Sequence, residues 1–135
     1  MRLISLPNPA WLALAASLAL AAPASASGGI WCEGEEASAE IATGRLPVLQ
    51  IIGAHAGAAG VAYTTGPERG EGTPFVVGQA FGDDEGIKID FVDPNFETIL
   101  VSFRLAYAGD REQEWPLAGT MMLDGTSHAV RCGAD

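Results

Sequence analysis

The chain has 135 residues, with 17 acidic against seven basic side chains and a formal net charge of −10. This length is typical of one small domain. The charge excludes a nucleic-acid or anionic-membrane surface, because phosphate recognition requires clustered Lys and Arg side chains and those of this chain are few and scattered.

The first 26 residues have the pattern of a secretory signal peptide. Arg2 precedes an apolar run from Trp11 to Ala22, and the small residues Ala24-Ser25-Ala26 follow it. The run is too short to span a bilayer, since a membrane-spanning helix needs about 20 apolar residues. We therefore predict cleavage after Ala26, no membrane anchor afterwards, a periplasmic or secreted location, and a single β-domain over residues 27–135.

The two cysteines lie close to the two ends of this predicted domain. Cys32 follows the cleavage site closely, and Cys132 lies near the C-terminus. Small exported domains commonly rely on disulfides, because they fold in an oxidising compartment. Neither cysteine belongs to a Cys-x-x-Cys pair and no histidine is near Cys32, which argues against a metal or redox site. We predict a Cys32–Cys132 disulfide, with Trp31 packed over it.

The N-terminal half of the domain has the weaker strand pattern. Strands are predicted over Trp31 to Ile41, Val61 to Thr65, and Pro74 to Phe81. Leu46 to Ile52 suits either a helical turn, by its spacing, or a strand, by its β-branched residues. The glycine-rich stretch from Gly53 to Gly60, which contains His55, is interpreted as an exposed loop.

The C-terminal half has the clearer alternation between apolar and polar residues. Gly86 to Phe91 predicts a half-buried strand, and Ile99 to Tyr107 predicts the longest and central strand. Between them, Asp93-Pro94-Asn95-Phe96 favours a turn, because proline presets φ and the Asp and Asn side chains can bond the turn's own backbone. These two strands are therefore predicted to form a hairpin.

The last hairpin can be registered from its turn, since Asp124-Gly125 suits a type I′ connection. The register pairs Leu123 with Thr126, Met121 with His128, Gly119 with Val130, and Leu117 with Cys132. One face of this hairpin is then mostly apolar, and the side chain of Cys132, which would form the disulfide, lies on that face. Together these elements predict an all-β fold, a small antiparallel sandwich or barrel of about seven strands with a terminal disulfide.

Catalytic chemistry has little support in the sequence. The domain has two histidines, His55 and His128, and no Gly-x-Ser-x-Gly turn that would expose a nucleophilic serine. A hydrolase that uses His128 is a remote alternative. The register places this residue opposite Met121, where a hydrogen-bonded core histidine is the simpler interpretation. We predict no catalytic residue, no cofactor and no enzymatic activity.

Acidic residues are densest between Asp83 and Glu97. Asp83, Asp84, Asp93 and Asn95 offer the oxygen ligands that Ca²⁺ takes, although their spacing matches no EF-hand loop. A calcium-binding or small-ligand-binding protein is therefore the alternative function. The simpler interpretation is a solvated, charged loop whose repulsion protects neighbouring strand edges.

The segment from Gly109 to Trp115 is polar and ends in an aromatic residue. Such a segment is suited to recognition, so Arg111, Glu114 and Trp115 form a candidate binding surface. A plain surface loop is the alternative interpretation. The negative charge of the chain favours a basic protein, or a component of the cell envelope, as the partner.

Four short segments carry a further pattern: Ile30-Trp31-Cys32, Gln79-Ala80-Phe81, Ile89 to Asn95, and His128 to Cys132. The pattern resembles small exported proteins of alphaproteobacteria, a group without an assigned function. The resemblance implies a signal peptide, a terminal disulfide and a periplasmic location, and it implies no activity. Exported lysozyme inhibitors share the acidic, β-rich, disulfide-linked profile by analogy. We therefore expect a non-enzymatic, inhibitor-like binding module.

Overall fold

A computed structural model describes residues 28–135, so the predicted signal peptide lies outside the described residues. Ten strands are present in these residues, together with a short 3₁₀ helix at Pro67–Arg69. The strands are β1 (Gly28–Gly34), β2 (Ala37–Thr43), β3 (Ile51–Ala58), β4 (Val61–Thr64), β5 (Thr73–Pro74), β6 (Val76–Gly82), β7 (Gly86–Val92), β8 (Ile99–Tyr107), β9 (Leu117–Leu123) and β10 (Thr126–Ala134). No helix within residues 28–135 is long and apolar enough to cross a membrane.

All ten strands belong to one sheet, in the order β5-β4-β3-β2-β1-β10-β9-β8-β7-β6. The pairing of β1 with β10 brings the two ends of the domain together. The two edge strands, β5 and β6, are separated in sequence by Phe75 alone, so one continuous segment connects the two edges. The sheet therefore curls into a nearly closed barrel, which confirms the all-β prediction with ten strands in place of about seven.

Two errors in the N-terminal half account for most of the extra strands. The segment predicted as one strand from Trp31 to Ile41 is a hairpin that turns at Glu36, whose φ is 57°. The stretch from Gly53 to Gly60 is not an exposed loop but is mostly β3, paired with β2 and β4. Its small residues suit this position, because Ala54, Ala56 and Ala58 pack into the barrel. Cross-strand pairing and burial override their low strand propensity.

The remaining N-terminal predictions are partly correct. β4 lies where a strand was predicted, whereas the strand predicted from Pro74 to Phe81 is interrupted at Phe75. The ambiguous segment from Leu46 to Ile52 forms neither a helix nor a full strand, because its residues are irregular up to Gln50 and β3 begins at Ile51.

The C-terminal half matches its prediction closely. β8 has the predicted bounds, although it only equals β10 in length, at nine residues, and lies third from the β6 edge rather than at the centre of the sheet. The carboxylate of Asp93 accepts hydrogen bonds from three backbone N–H groups of the turn before β8. All four predicted pairs of the last hairpin are present. Asp124 and Gly125 both have positive φ, 50° and 81°, as a type I′ turn requires.

The predicted Cys32–Cys132 disulfide is confirmed. The two cysteines are directly opposite each other on β1 and β10, and both are buried in the barrel. The bridge therefore joins the first and last strands covalently at the place where the sheet brings them together.

A row of four aromatic rings fills the barrel from β4 to β8. Tyr63 stacks on Phe75 with 5.8 Å between ring centroids, and Phe75 stacks on Phe91 at 4.3 Å. The edge of Phe103 then meets Phe91 at 6.1 Å. Phe75 lies at the bridge between β5 and β6, so ring packing holds the two edges of the sheet together where no backbone ladder joins them.

Tyr63 also links β4 to the last hairpin, because its hydroxyl donates a 2.6 Å hydrogen bond to Oδ1 of Asp124. This hydrogen bond, burial and the charge of Asp124 together raise the pKa of Tyr63 to about 12. Because the pKa in the folded state lies above the ordinary value of 10.0, the neutral phenol stabilises the fold below pH 10. This contribution is lost as the pH rises through 12.

We therefore expect Tyr63→Phe to lower the free energy of unfolding by about 1–2 kcal/mol at neutral pH. From pH 10 to 12, the free energy of unfolding should also decrease less for the variant than for the wild-type protein. Urea unfolding at a series of pH values measures both effects. Tyr107→Phe is the matched control and should keep the decline, and an identical pH profile for Tyr63→Phe and the wild type would contradict the assignment.

Asp90 ties the edge strand β6 to the rest of the sheet. Its carboxylate accepts hydrogen bonds from Gln79 of β6 and from Arg104 of β8, the latter at 2.9 Å. Burial acts to raise the pKa of Asp90, but these hydrogen bonds and the charge of Arg104 outweigh burial and hold the pKa below its ordinary value. The outermost strand is thus held by a charged side-chain cluster as well as by its ladder with β7.

Candidate functional site

Three polar or aromatic residues form a row across the outside of the barrel. Trp31 of β1 is directly opposite Glu40 of β2, which is directly opposite His55 of β3. Consecutive residues of a strand point to opposite faces, so Trp31 points outward while Cys32 points into the barrel. The prediction that Trp31 packs over the disulfide is therefore wrong.

Trp31 is held in place by the neighbouring strand β10. A Cβ atom at Gly133 would overlap the indole, so only glycine lets the ring lie against the backbone there. Trp31 is directly opposite Gly133 in the ladder and remains 38% exposed. The ring is therefore fixed on one side and open to a ligand on the other.

Trp115 is half-buried on the same side of the barrel. The guanidinium group of Arg131 lies 4.3 Å from the centroid of its ring, which is a cation–π contact. Arg131 in turn pairs with Glu33, with 2.6 Å between Nη2 and Oε1. Both indoles are thus positioned by residues of β10.

The two indoles border one cleft of about 470 Å³. We call this feature the tryptophan cleft, and its side chains are those of Trp31, Glu33, Ser38, Glu40, His55 and Trp115. A neighbouring hollow of about 330 Å³ shares Trp31, Glu40 and His55 and extends to Arg69. Together the two hollows form a shallow surface that combines aromatic rings with charged and hydrogen-bonding groups.

The polar groups of the cleft differ in whether they have a partner within the described residues. Glu33 is neutralised by Arg131, and Nε2 of His55 is 3.0 Å from the backbone carbonyl of Glu71, which can accept a hydrogen bond from it. Within residues 28–135, no Lys, Arg or His nitrogen lies within 4.0 Å of the Glu40 carboxylate. Glu40 is therefore an available anion between an indole and an imidazole.

The predicted binding surface of Arg111, Glu114 and Trp115 is divided by the structure. Trp115 joins the tryptophan cleft, whereas Arg111 lies 4.1 Å over the ring of Tyr107 and bonds the carbonyl of Asp84. Glu114 is an exposed residue of the connecting loop. Of this group, Trp115 therefore borders the tryptophan cleft, while Arg111 borders a separate hollow with Asp83 and Asp84.

The four candidate metal ligands lie in two separate places. Asp83 and Asp84 precede β7, while Asp93 and Asn95 follow it, so the two pairs are about 20 Å apart along the strand. The carboxylate of Asp83 accepts hydrogen bonds from Glu85 and Gly86 in its own turn. No group of three or more potential metal-ligating side chains occurs within the described residues.

The two histidines also lie apart from one another along the sheet. His128 is half-buried opposite Met121, in the predicted register, and His55 is in the tryptophan cleft. Sequence reasoning missed the position of His55 in the cleft because the segment around it was interpreted as a loop. The alternation of small buried residues at 54, 56 and 58 is the signal that could have placed its side chain outside.

Comparison with known proteins identifies no relative of this chain. No protein-family model, no curated protein and no solved structure matches this chain. Its function is therefore inferred from the tryptophan cleft and from the charge of the chain.

Proposed function

We propose that the protein is a non-enzymatic, exported binding module that holds a basic protein partner in the tryptophan cleft. The observation that carries the proposal is the position of Glu40, a carboxylate without a cationic partner in residues 28–135, beside the exposed ring of Trp31. A Lys or Arg side chain of a partner can pair with this carboxylate and lie over the indole at the same time.

The residues of the cleft are of the kinds that dominate protein interfaces. Tryptophan and arginine are enriched among residues whose loss costs most binding energy. Trp31 and Trp115 are held by contacts with Gly133 and Arg131 of β10, so little side-chain entropy is lost when a partner docks. A cation–π contact contributes about 0.5–2 kcal/mol, depending on how far it is removed from water.

The setting of the proposed function is an oxidising compartment outside the cytoplasm. The disulfide is typical of proteins that fold in such compartments. The predicted signal peptide supports a periplasmic or secreted location. The excess of acidic side chains attracts a basic partner at long range, which would suit an inhibitor of a basic enzyme such as lysozyme.

Affinity capture from a native envelope extract tests the proposal. The tagged wild-type protein, purified after export, should retain a basic partner that salt releases. Glu40→Gln and Trp31→Ala should each reduce capture of that partner by about tenfold, since each removes one element of the cation site. Glu35→Gln is the matched control, because it removes the same charge from the exposed β1–β2 turn.

Each alternative has its own outcome in this experiment. Equal capture by wild-type protein, Glu40→Gln and Trp31→Ala, or no salt-released partner at all, would contradict the proposal. Parallel captures with calcium and with a chelator separate the calcium alternative, because partner loss only in chelator would assign binding to a metal site instead.

A further inference from the structure

The edge strand β6 ends the sheet with unpaired backbone groups. The N–H of Asp83 donates to the carbonyl of Gly86, which marks a hydrogen-bonded pair at the end of the β6–β7 ladder. Such pairs alternate with non-bonded ones along an antiparallel ladder. The register of β6 with β7 therefore directs the backbone N–H and C=O groups of Ala80 and Gly82 away from β7.

Nothing in the described chain pairs with these outward groups. β6 is the last strand of the sheet, and no loop in residues 28–135 makes a backbone hydrogen bond to Ala80 or Gly82. Phe81, between them, is 58% exposed. β6 also carries no charged residue, whereas free edges are usually protected against added strands by charged side chains.

The same edge leads into a hollow of about 370 Å³ at the end of the barrel. One wall is apolar and includes Leu46 and Val48, which are 56% and 68% exposed. The other wall is the acidic turn after β6, where Asp83 and Asp84 lie beside Arg111, whose guanidinium is 3.7 Å from the Asp84 carboxylate. An extended segment lying along β6 would thus meet apolar contacts and then a turn whose three acidic side chains, Asp83 to Glu85, outnumber the one guanidinium of Arg111.

We propose that β6 is a second docking site, at which an extended segment of a basic partner protein adds as a strand. An antiparallel addition places the N-terminal residues of that segment beside Asp83 and Asp84, since β6 runs towards this turn. Basic residues there complement the acidic turn, while backbone hydrogen bonds to Ala80 and Gly82 hold the strand and Phe81 contacts its side chains.

The probe for this site is the synthetic peptide Lys-Lys-Val-Thr-Val-Thr-Val, titrated calorimetrically into the exported protein. Ala80→Pro should weaken its binding by about tenfold or more, because proline removes the outward N–H and its ring obstructs the edge. The ladder with β7 does not use that N–H, so the variant should melt within about 5 °C of the wild type.

Two further probes identify the mode of binding. Two versions of the peptide are methylated on alternate backbone nitrogens, one on the odd-numbered and one on the even-numbered residues. Only one version should lose affinity, because alternate N–H groups of an added strand face β6. A peptide with Glu-Glu in place of Lys-Lys should bind more weakly, and Asp83→Asn with Asp84→Asn should remove that preference. Glu35→Gln, which removes one negative charge from the exposed β1–β2 turn, should leave all these affinities unchanged, which separates a local contact at β6 from the net charge of the chain.

Several results would overturn the proposal. The first is that the lysine peptide does not bind the wild-type protein. The second is that folded Ala80→Pro binds this peptide as tightly as the wild type does. The third is that both methylated peptides lose the same amount of affinity. A wild-type dimer in sedimentation equilibrium that Ala80→Pro dissociates would assign the edge to a second copy of this chain instead.

Discussion

Removing the Cys32–Cys132 disulfide is expected to lower the free energy of unfolding by about 4 kcal/mol. The bridge joins residues 100 positions apart, so it restricts the unfolded chain over almost the whole domain. For a domain of this size, such a loss corresponds to a fall in melting temperature of roughly 15–30 °C. The fall in melting temperature is large because a small domain unfolds with a small entropy change, so each kcal/mol lost shifts the melting temperature by several degrees.

Calorimetry of the double variant Cys32→Ala, Cys132→Ala measures this loss. Reductant provides the control, since it should lower the melting temperature of the wild-type protein and leave that of the double variant unchanged. Two results would contradict a stabilising role of the bridge. One is a double variant with the same melting temperature as the wild type. The other is a wild-type protein that is unfolded and refolded in reductant and still keeps its melting temperature.

Phe75→Ala is expected to cost about 3–5 kcal/mol, in the range for large buried aromatic residues. Phe75 is 1% exposed and lies between Tyr63 and Phe91 in the aromatic row. Its loss leaves a cavity at the bridge between β5 and β6, where ring packing holds the two sheet edges. Hydrogen exchange in β6 should therefore accelerate more than exchange in β8.

Phe81→Ala is the matched control for this prediction, because Phe81 is on the same segment but is 58% exposed. Urea unfolding should show a loss of about 1 kcal/mol or less for this variant. Equal losses for the two variants would mean that Phe75 does not close the barrel, and its burial would then need another explanation.

The C-terminal half of the fold was predictable from sequence because its information is local. Apolar residues alternate along β7 and β8, and the Asp124-Gly125 turn sets the register of β9 with β10. The disulfide followed from the positions of two cysteines near the ends of the domain. In each case a few neighbouring residues determine the structure.

The candidate sites were not predictable in the same way, because they depend on non-local pairing. Trp31, Glu40 and His55 become neighbours only when β1, β2 and β3 pair in one register. Trp115 joins them only because β10 lies beside β1 and carries Arg131. The free edge of β6 likewise follows from the order of all ten strands, which no short segment specifies.

The proposed tryptophan cleft and the proposed edge site have different physical characters. The cleft relies on side chains held rigidly on an outer face, whereas the edge relies on backbone groups and an exposed phenylalanine. A partner that used both would gain affinity from linked contacts. The variants Glu40→Gln and Ala80→Pro separate the two contributions in such a partner.

The most direct test of the tryptophan cleft is to follow its two indole N–H signals by NMR. The chain has tryptophan at positions 11, 31 and 115, so the protein predicted after cleavage contains two. On titration with the captured basic partner, we predict that both indole signals shift and that Glu40→Gln requires about tenfold more partner to reach the same shifts. Formation of the complex with both indole signals unchanged would contradict binding at the tryptophan cleft.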